Sequence, residues 1–220
     1  MTQTDGTTTL ILIRHGETQW NIQRRFQGHG DSALTLKGRE QAAALGRRMQ
    51  NLQFDEIFAS DLGRAVETAS LIAGSTGHEV QYDQRLRERN YGVLEGLTLA
   101  DVTARYPEIL NRLSLNDPDC IIPEGESYRQ HYKRNIAFVE EMISAKPGAT
   151  LALVIHGGVL DCLFRYVTGL GLDRPRCFTT INASLSVFKH GVFYGTRRWV
   201  IETWGDISHL EGIGQYLGLG

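Results

Sequence analysis

Two stretches, LILIRHG (Leu10 to Gly16) and LALVIHGG (Leu151 to Gly158), each carry an apolar, β-branched run into a histidine followed by glycine. A single histidine at a strand end is usually structural or superficial, so the repetition carries the signal. In open α/β sheets ligands bind outside the carboxyl ends of the strands, and His15 and His156 are therefore expected to face one crevice. The glycines that follow, Gly16 and Gly157, let the backbone approach a ligand and offer their N–H groups to an anion. Arg14 adds a permanent charge whose planar fork matches phosphate oxygens. A second arginine, Arg64, lies in SDLGRAVETA at the start of a predicted helix capped by Ser60 or Asp61. Two arginines and two histidines around one crevice describe a site for a phosphate dianion. A metal fits poorly, because adjacent arginines repel a cation and the chain shows no HxxxH or carboxylate cluster.

Phosphate-ester chemistry also needs a proton donor. The stretch RLRERNYGVLEG offers Glu88 among Arg85, Arg87 and Arg89, where a carboxylic acid could protonate a leaving oxygen and then activate water as the carboxylate. Glu95 and Glu17 are competitors for this role. The plain alternative for Glu88 is a salt bridge to a neighbouring arginine. His29, His78, His131, His190 and His209 lack comparable context and read as surface or packing residues.

The elements that must position these groups are visible as alternating patterns. Strands are predicted at TLILI, DEIFAS, HEVQYD, TLALVI, SLSVFKH and RRWVIET. Ala42, Leu45, Met49 and Leu52 share one face of a helix capped by Thr35, and Tyr132, Ile136, Val139 and Ile143 do so behind Ser127. This alternation argues for an α/β fold, a three-layer α/β/α sandwich around a mostly parallel sheet. Residues 1–220 are expected to form one domain, with a lid-like insertion at about 91–126. The polar and aromatic WGDISHLEG near the end of the sequence either folds over the site or caps the domain.

Bulk properties narrow the partners. The 220 residues carry a formal net charge of −2, which gives no reason to expect nucleic acid or a membrane surface as partner. Cys120, Cys162 and Cys177 are odd in number and lack CxxC spacing, as in a reduced cytosolic protein. The beginning of the sequence lacks the pattern of a secretory signal, and no segment has the apolar length of a membrane span. A cytoplasmic protein, monomeric or homodimeric, is expected.

Taken in order, RHGETQWN, RRFQGHGDSALTLKGREQA, SDLGRAVETA, LRERNYGVLEG, PEGESY, HGGVLDCLFRYVTG and NASLSVF resemble the histidine phosphatase superfamily, the phosphoglycerate mutase-like group. The resemblance covers nearly the whole chain. It implies the phosphoglycerate mutase-like fold, with His15 as nucleophile and Arg14, Arg64 and His156 as its phosphate pocket. It further implies Glu88 as general acid and base, and substrate or phosphate contacts from Asn21, Gln27, Gly28, Gly157, Arg89 and Tyr91. Two positions depart from the family pattern: His29 replaces a common tryptophan and Ala33 a common proline.

The superfamily contains phosphatases, which pass the phosphoryl group to water, and mutases, which return it to a bound phosphoglycerate. A mutase must hold the substrate carboxylate and exclude water. Here Leu99, Leu115 and Asn116 stand where mutases carry cations, and the long mutase insertion before the ES motif is absent. The sequence therefore favours a phosphatase of small phosphorylated metabolites that needs no cofactor. The alternative is a phosphoglycerate mutase, whose cofactor would be 2,3-bisphosphoglycerate. A non-catalytic phospholigand-binding protein is the reading least consistent with the intact set of Arg14, His15, Arg64, Glu88 and His156.

Overall fold

The computed structural model describes residues 6–213. In chain order they form β1 (Thr8–Arg14), α1 (Gln19–Ile22), α2 (Leu36–Met49), β2 (Glu56–Ala59), α3 (Gly63–Thr76) and β3 (Val80–Tyr82). These are followed by α4 (Leu99–Arg105), α5 (Pro107–Ser114), α6 (Tyr128–Ala145), β4 (Thr150–Ile155), α7 (Gly157–Thr168), β5 (Leu185–Phe193) and β6 (Thr196–Asp206). All strands join one sheet in the order β3-β2-β4-β1-β5-β6. Strands β1 to β4 are parallel where they pair, β5 runs antiparallel to β1, and β6 antiparallel to β5. Only β5 therefore runs against the others.

Strand periodicity creates the layers. Ile11 and Ile13 of β1 join Leu45 and Met49 of α2 and Ala65, Ala69 and Ile72 of α3. Leu10 and Leu12 point the other way, into Ile136 and Val139 of α6 and Val159, Leu160 and Leu163 of α7. Successive residues of a strand face opposite sides, so continuous apolar runs are what a sheet covered on both faces requires. Truncating the fully buried Leu12 to alanine is expected to cost about 2–5 kcal/mol through lost burial and the cavity left behind.

Local chemistry sets the helix starts. Thr35 Oγ1 accepts the Gly38 N–H at 2.9 Å, and Ser127 forms a reciprocal capping box with Gln130. Two details differ from the sequence expectation. Helix α3 is preceded by Leu62 with no side-chain cap; Ser60 Oγ accepts only the Leu62 N–H, at 3.3 Å, while the Asp61 carboxylate is engaged by Arg87. Leu52 lies beyond the end of α2 and is 38% exposed, so the helix face ends at Met49.

Between Tyr91 and Glu126, helices α4 and α5 enclose a small separate cluster of Leu94, Val102 and Ile122, against which Phe26 and Tyr91 pack. The ISHL stretch packs on the α2–α3 layer: Leu210 enters the core with α2 and α3, the preceding Asp206 pairs with Arg48, and His209 meets the Ala183 carbonyl at 2.9 Å. That part of WGDISHLEG caps the fold. All three cysteines are free thiols, Cys120 and Cys162 buried and Cys177 exposed. No helix among the described residues is long and apolar enough to cross a membrane.

Candidate active site

The β1–β4 register builds the site. Arg14 lies opposite Ile155 in the parallel ladder, so the next residue of each strand, His15 and His156, emerges at the same end. Their ring centroids stand 5.2 Å apart with planes inclined by 56°. The His15 N–H donates to the Ile155 carbonyl, and the His15 carbonyl receives the Ala183 N–H and the Asn182 side-chain amide. The nucleophile candidate is thus anchored by the backbone of two other segments and by the Asn182 side chain.

His15 Nδ1 lies 2.8 Å from the Gly16 carbonyl. A carbonyl only accepts, so Nδ1 carries the proton and donates it, leaving Nε2 with its lone pair. Burial, followed by the charges of Arg64 and Arg14, holds His15 well below its ordinary pKa of 6.5, which keeps the ring neutral. His156 is also fully buried, and burial, then Arg64, lowers it well below the same value. Neither His156 ring nitrogen has a hydrogen-bond partner among the described residues.

The two arginines are fixed by carbonyls. Arg14 Nη1 donates to the Thr180 carbonyl, with Thr180 Oγ1 at 3.4 Å, and Arg64 donates to the carbonyls of Gly28 (2.7 Å) and Gly30 (2.9 Å). Burial lowers the Arg14 pKa to about 10, with Glu88 opposing the shift and Arg176 and Arg64 adding to it. Each guanidinium keeps a buried Nε without a partner. Buried donors left unpaired are costly, and here three such donors, Arg14 Nε, Arg64 Nε and the one ring N–H of neutral His156, belong to groups clustered around His15. An anion with several acceptor oxygens would satisfy them.

Glu88 enters from the loop after β3. Its Oε1 accepts the Arg89 N–H at 2.8 Å, and its Oε2 accepts the Gly158 N–H at 2.9 Å, in the first turn of α7. It forms no ion pair with a neighbouring arginine among the described residues. The competing carboxylates are committed elsewhere. Glu95 Oε1 accepts the N–H groups of His29 and Tyr91, and Glu17 is buried between Thr35 and Lys37.

A cavity of about 460 Å³ opens over these groups, lined by Arg14, His15, Arg64, Glu88, Asn21, Gln27, Gly28, Tyr91 and Gly157. Gly28 has φ +57, and a Cβ there would come within 2.1 Å of Glu95 Oε1, so glycine is needed where the loop passes Arg64. Arg89 departs from its expected substrate contact. Its buried guanidinium donates to the carbonyls of Cys120 and Glu126 and lies over the Tyr91 ring, tying together the ends of the 91–126 segment. Three further residues of the neighbourhood had no motif to announce them. Thr180 and Arg176 line the cavity from the segment before β5. His131, assigned above to surface or packing, is completely buried, with Nε2 3.7 Å from Glu88 Oε1. Its position one turn into α6 behind the Ser127 cap was the available signal for burial, though not for Glu88.

Residues 10–207 match the histidine phosphatase superfamily (branch 1). The chain belongs to the histidine phosphatase superfamily. Within it, a probable phosphoglycerate mutase, GpmB of Escherichia coli, is 40% identical over 203 residues, covering 92% of this chain and 94% of that protein. YhfR of Bacillus stearothermophilus is 33% identical with a TM-score of 0.81, over 92% of this chain and 99% of that one. A mycobacterial glucosyl-3-phosphoglycerate phosphatase, in complex with VO3, is 31% identical with a TM-score of 0.79, over 90% and 98% of the two chains. The fold is thus that of the phosphoglycerate mutase-like histidine phosphatases.

Proposed function

We propose that this histidine phosphatase superfamily member is a cytoplasmic phosphatase that hydrolyses phosphate monoesters of small metabolites through a phosphohistidine on His15. The observation that carries the reading is the orientation of His15: Nδ1–H is spent on the Gly16 carbonyl, and Nε2 is presented beside Arg14 and Arg64 in a cavity that also holds Glu88.

In the first step, the Nε2 lone pair attacks phosphorus while the bond to the alcohol oxygen breaks. Protonated Glu88 gives its proton to that oxygen, and the free alcohol departs. Arg14 and Arg64 stabilise the equatorial oxygens, assisted by His156 and by the N-terminal turn of α7 at Gly157. In the second step, the Glu88 carboxylate takes a proton from water as the water oxygen attacks phosphorus. Inorganic phosphate leaves, His15 Nε2 recovers its lone pair, and Glu88 ends protonated. Asn21, Gln27, Gly28 and Tyr91 contribute the remaining walls. The chain needs no added cofactor in this cycle.

A second reading is a 2,3-bisphosphoglycerate-dependent phosphoglycerate mutase, supported by the name of the Escherichia coli relative. Against it, the Leu99 side chain faces the cavity where mutases of the resembled family carry a cation, and Leu115 is 70% exposed at the end of α5. The deciding experiment charges the protein from labelled 2,3-bisphosphoglycerate, adds excess 3-phosphoglycerate and follows the label, with His15→Ala as control. Label in inorganic phosphate supports the phosphatase; label returned to phosphoglycerates makes the chain a mutase. No labelled protein in either case refutes both.

A further inference from the structure

Charge on the cavity wall exceeds what one phosphate requires. Among the described residues, five arginines line it, Arg14, Arg24, Arg25, Arg64 and Arg176, against a single carboxylate, Glu88. Arg14 and Arg64 belong to the cradle around His15. Arg25 is occupied, its Nη1 donating to the Gly96 carbonyl and its Nε to Gln23 Oε1. Arg24 and Arg176 are left.

Both are held available. The Arg24 side chain forms no hydrogen bond or ion pair with any described residue, and its backbone has φ +52, a left-handed conformation that glycine or asparagine would adopt more readily. A long cation kept at such a position, on the rim of the cavity, points to a use for the charge. Arg176 approaches Asp161 Oδ2 at only 3.4 Å, and that carboxylate is already engaged by Arg165 at 3.0 Å and by the Tyr128 hydroxyl at 2.8 Å. Its guanidinium is therefore positioned without being saturated, and it lies close enough to Arg14 to oppose that residue's charge. Arg176 lies outside the motifs of the family resemblance, and Arg24, which opens RRFQGHGDSALTLKGREQA, is given no role by it.

We infer that Arg24 and Arg176 form a second anion subsite, so that the substrate is a phosphate monoester whose alcohol portion carries another anionic group. This rests on the phosphatase reading and narrows its substrate class. A guanidinium fork fits carboxylate and phosphate alike, and the experiment separates the two sources.

The test uses matched alkyl monophosphates of graded length, ending in a hydroxymethyl group, a carboxylate or a second phosphate. The wild-type protein is expected to prefer one anionic series over the hydroxymethyl series by about tenfold or more in kcat/KM. Arg24→Gln and Arg176→Gln should each reduce that ratio several-fold, with Arg24→Glu reducing it further. Added salt should compress it, because the rim is exposed. Arg176→Lys, which keeps the charge, should restore part of the ratio and separates charge from folding. A carboxylate preference or a bisphosphate preference identifies the anion. Turnover of all three series at similar efficiency, or a preference unmoved in both Gln variants, overturns the second subsite alone. Failure of every series together with failure of His15 to accept a phosphoryl group overturns the phosphatase reading itself.

Discussion

The Glu88 carboxylate is clasped by the backbone of Gly158, whose N–H meets Oε2 at 2.9 Å across 70 residues of chain. Position 158 has no room for a side chain on that side: a Cβ would stand 2.1 Å from Glu88 Oε1 and 3.1 Å from His131 Nε2. The Gly158→Ala protein is therefore expected to fold while displacing the proton donor. Its kcat should fall about 10²-fold on alkyl phosphates and much less on 4-nitrophenyl phosphate, whose leaving group needs little protonation. Glu88→Gln should show the same pattern more strongly. Equal losses on the two substrates in Glu88→Gln would remove the residue from the acid role.

Arg14→Lys keeps the charge and loses the fork. The guanidinium is fixed by the Thr180 carbonyl, and an ammonium cannot hold that contact and face two phosphate oxygens together. A loss of about 10²–10³ in kcat is expected, with circular dichroism unchanged. Near-normal turnover would show that the geometry of Arg14 is immaterial.

The buried nitrogens around His15 that lack hydrogen-bond partners are groups an oxyanion would engage. Phosphate or vanadate should raise the melting temperature, with the stabilisation approaching about 2.7 kcal/mol at a hundredfold excess over Kd. Differential scanning calorimetry of Arg64→Met should show that increment lost, because the side chain that spans the Gly28 and Gly30 carbonyls no longer reaches the anion. A full shift in that variant would place the anion elsewhere.

Three buried histidines make stability sensitive to mild acid. Burial is the leading cause that lowers His15, His131 and His156 well below 6.5. The unfolded chain binds protons on these rings below pH 6.5, while the folded chain does not. Their contribution is therefore complete above pH 6.5 and is lost as pH falls beneath it, at about 1.4 kcal/mol per pH unit for each ring. Urea denaturation at a series of pH values should show that slope, and His131→Gln should reduce it by one ring's share. An unchanged slope in that variant would mean that His131 takes up a proton in the fold.

The sheet and two long helices were legible because their signals are local. The apolar runs at Leu10 and Leu151, and the oxygen caps at Thr35 and Ser127, need only neighbours in sequence to be read. The meeting of His15 with His156 was legible by one further step, since both follow parallel strands at the same end. Arg176, Thr180 and His131 were opaque because their importance comes from tertiary approach to Arg14 and Glu88. Arg89 illustrates the reverse: it belongs to a recognisable stretch, yet the Cys120 and Glu126 carbonyls claim its guanidinium.

The pairing of β1 with β4 also dictates an order of events in biosynthesis. Arg14 leaves the ribosome early, but its ladder partner Ile155 is more than half the chain away. Such a long closure must be completed before the two histidines can be neighbours. A growing chain therefore cannot sequester phosphate in this site until β4 and the start of α7 have emerged, and ligand-assisted stabilisation is confined to the last stage of synthesis.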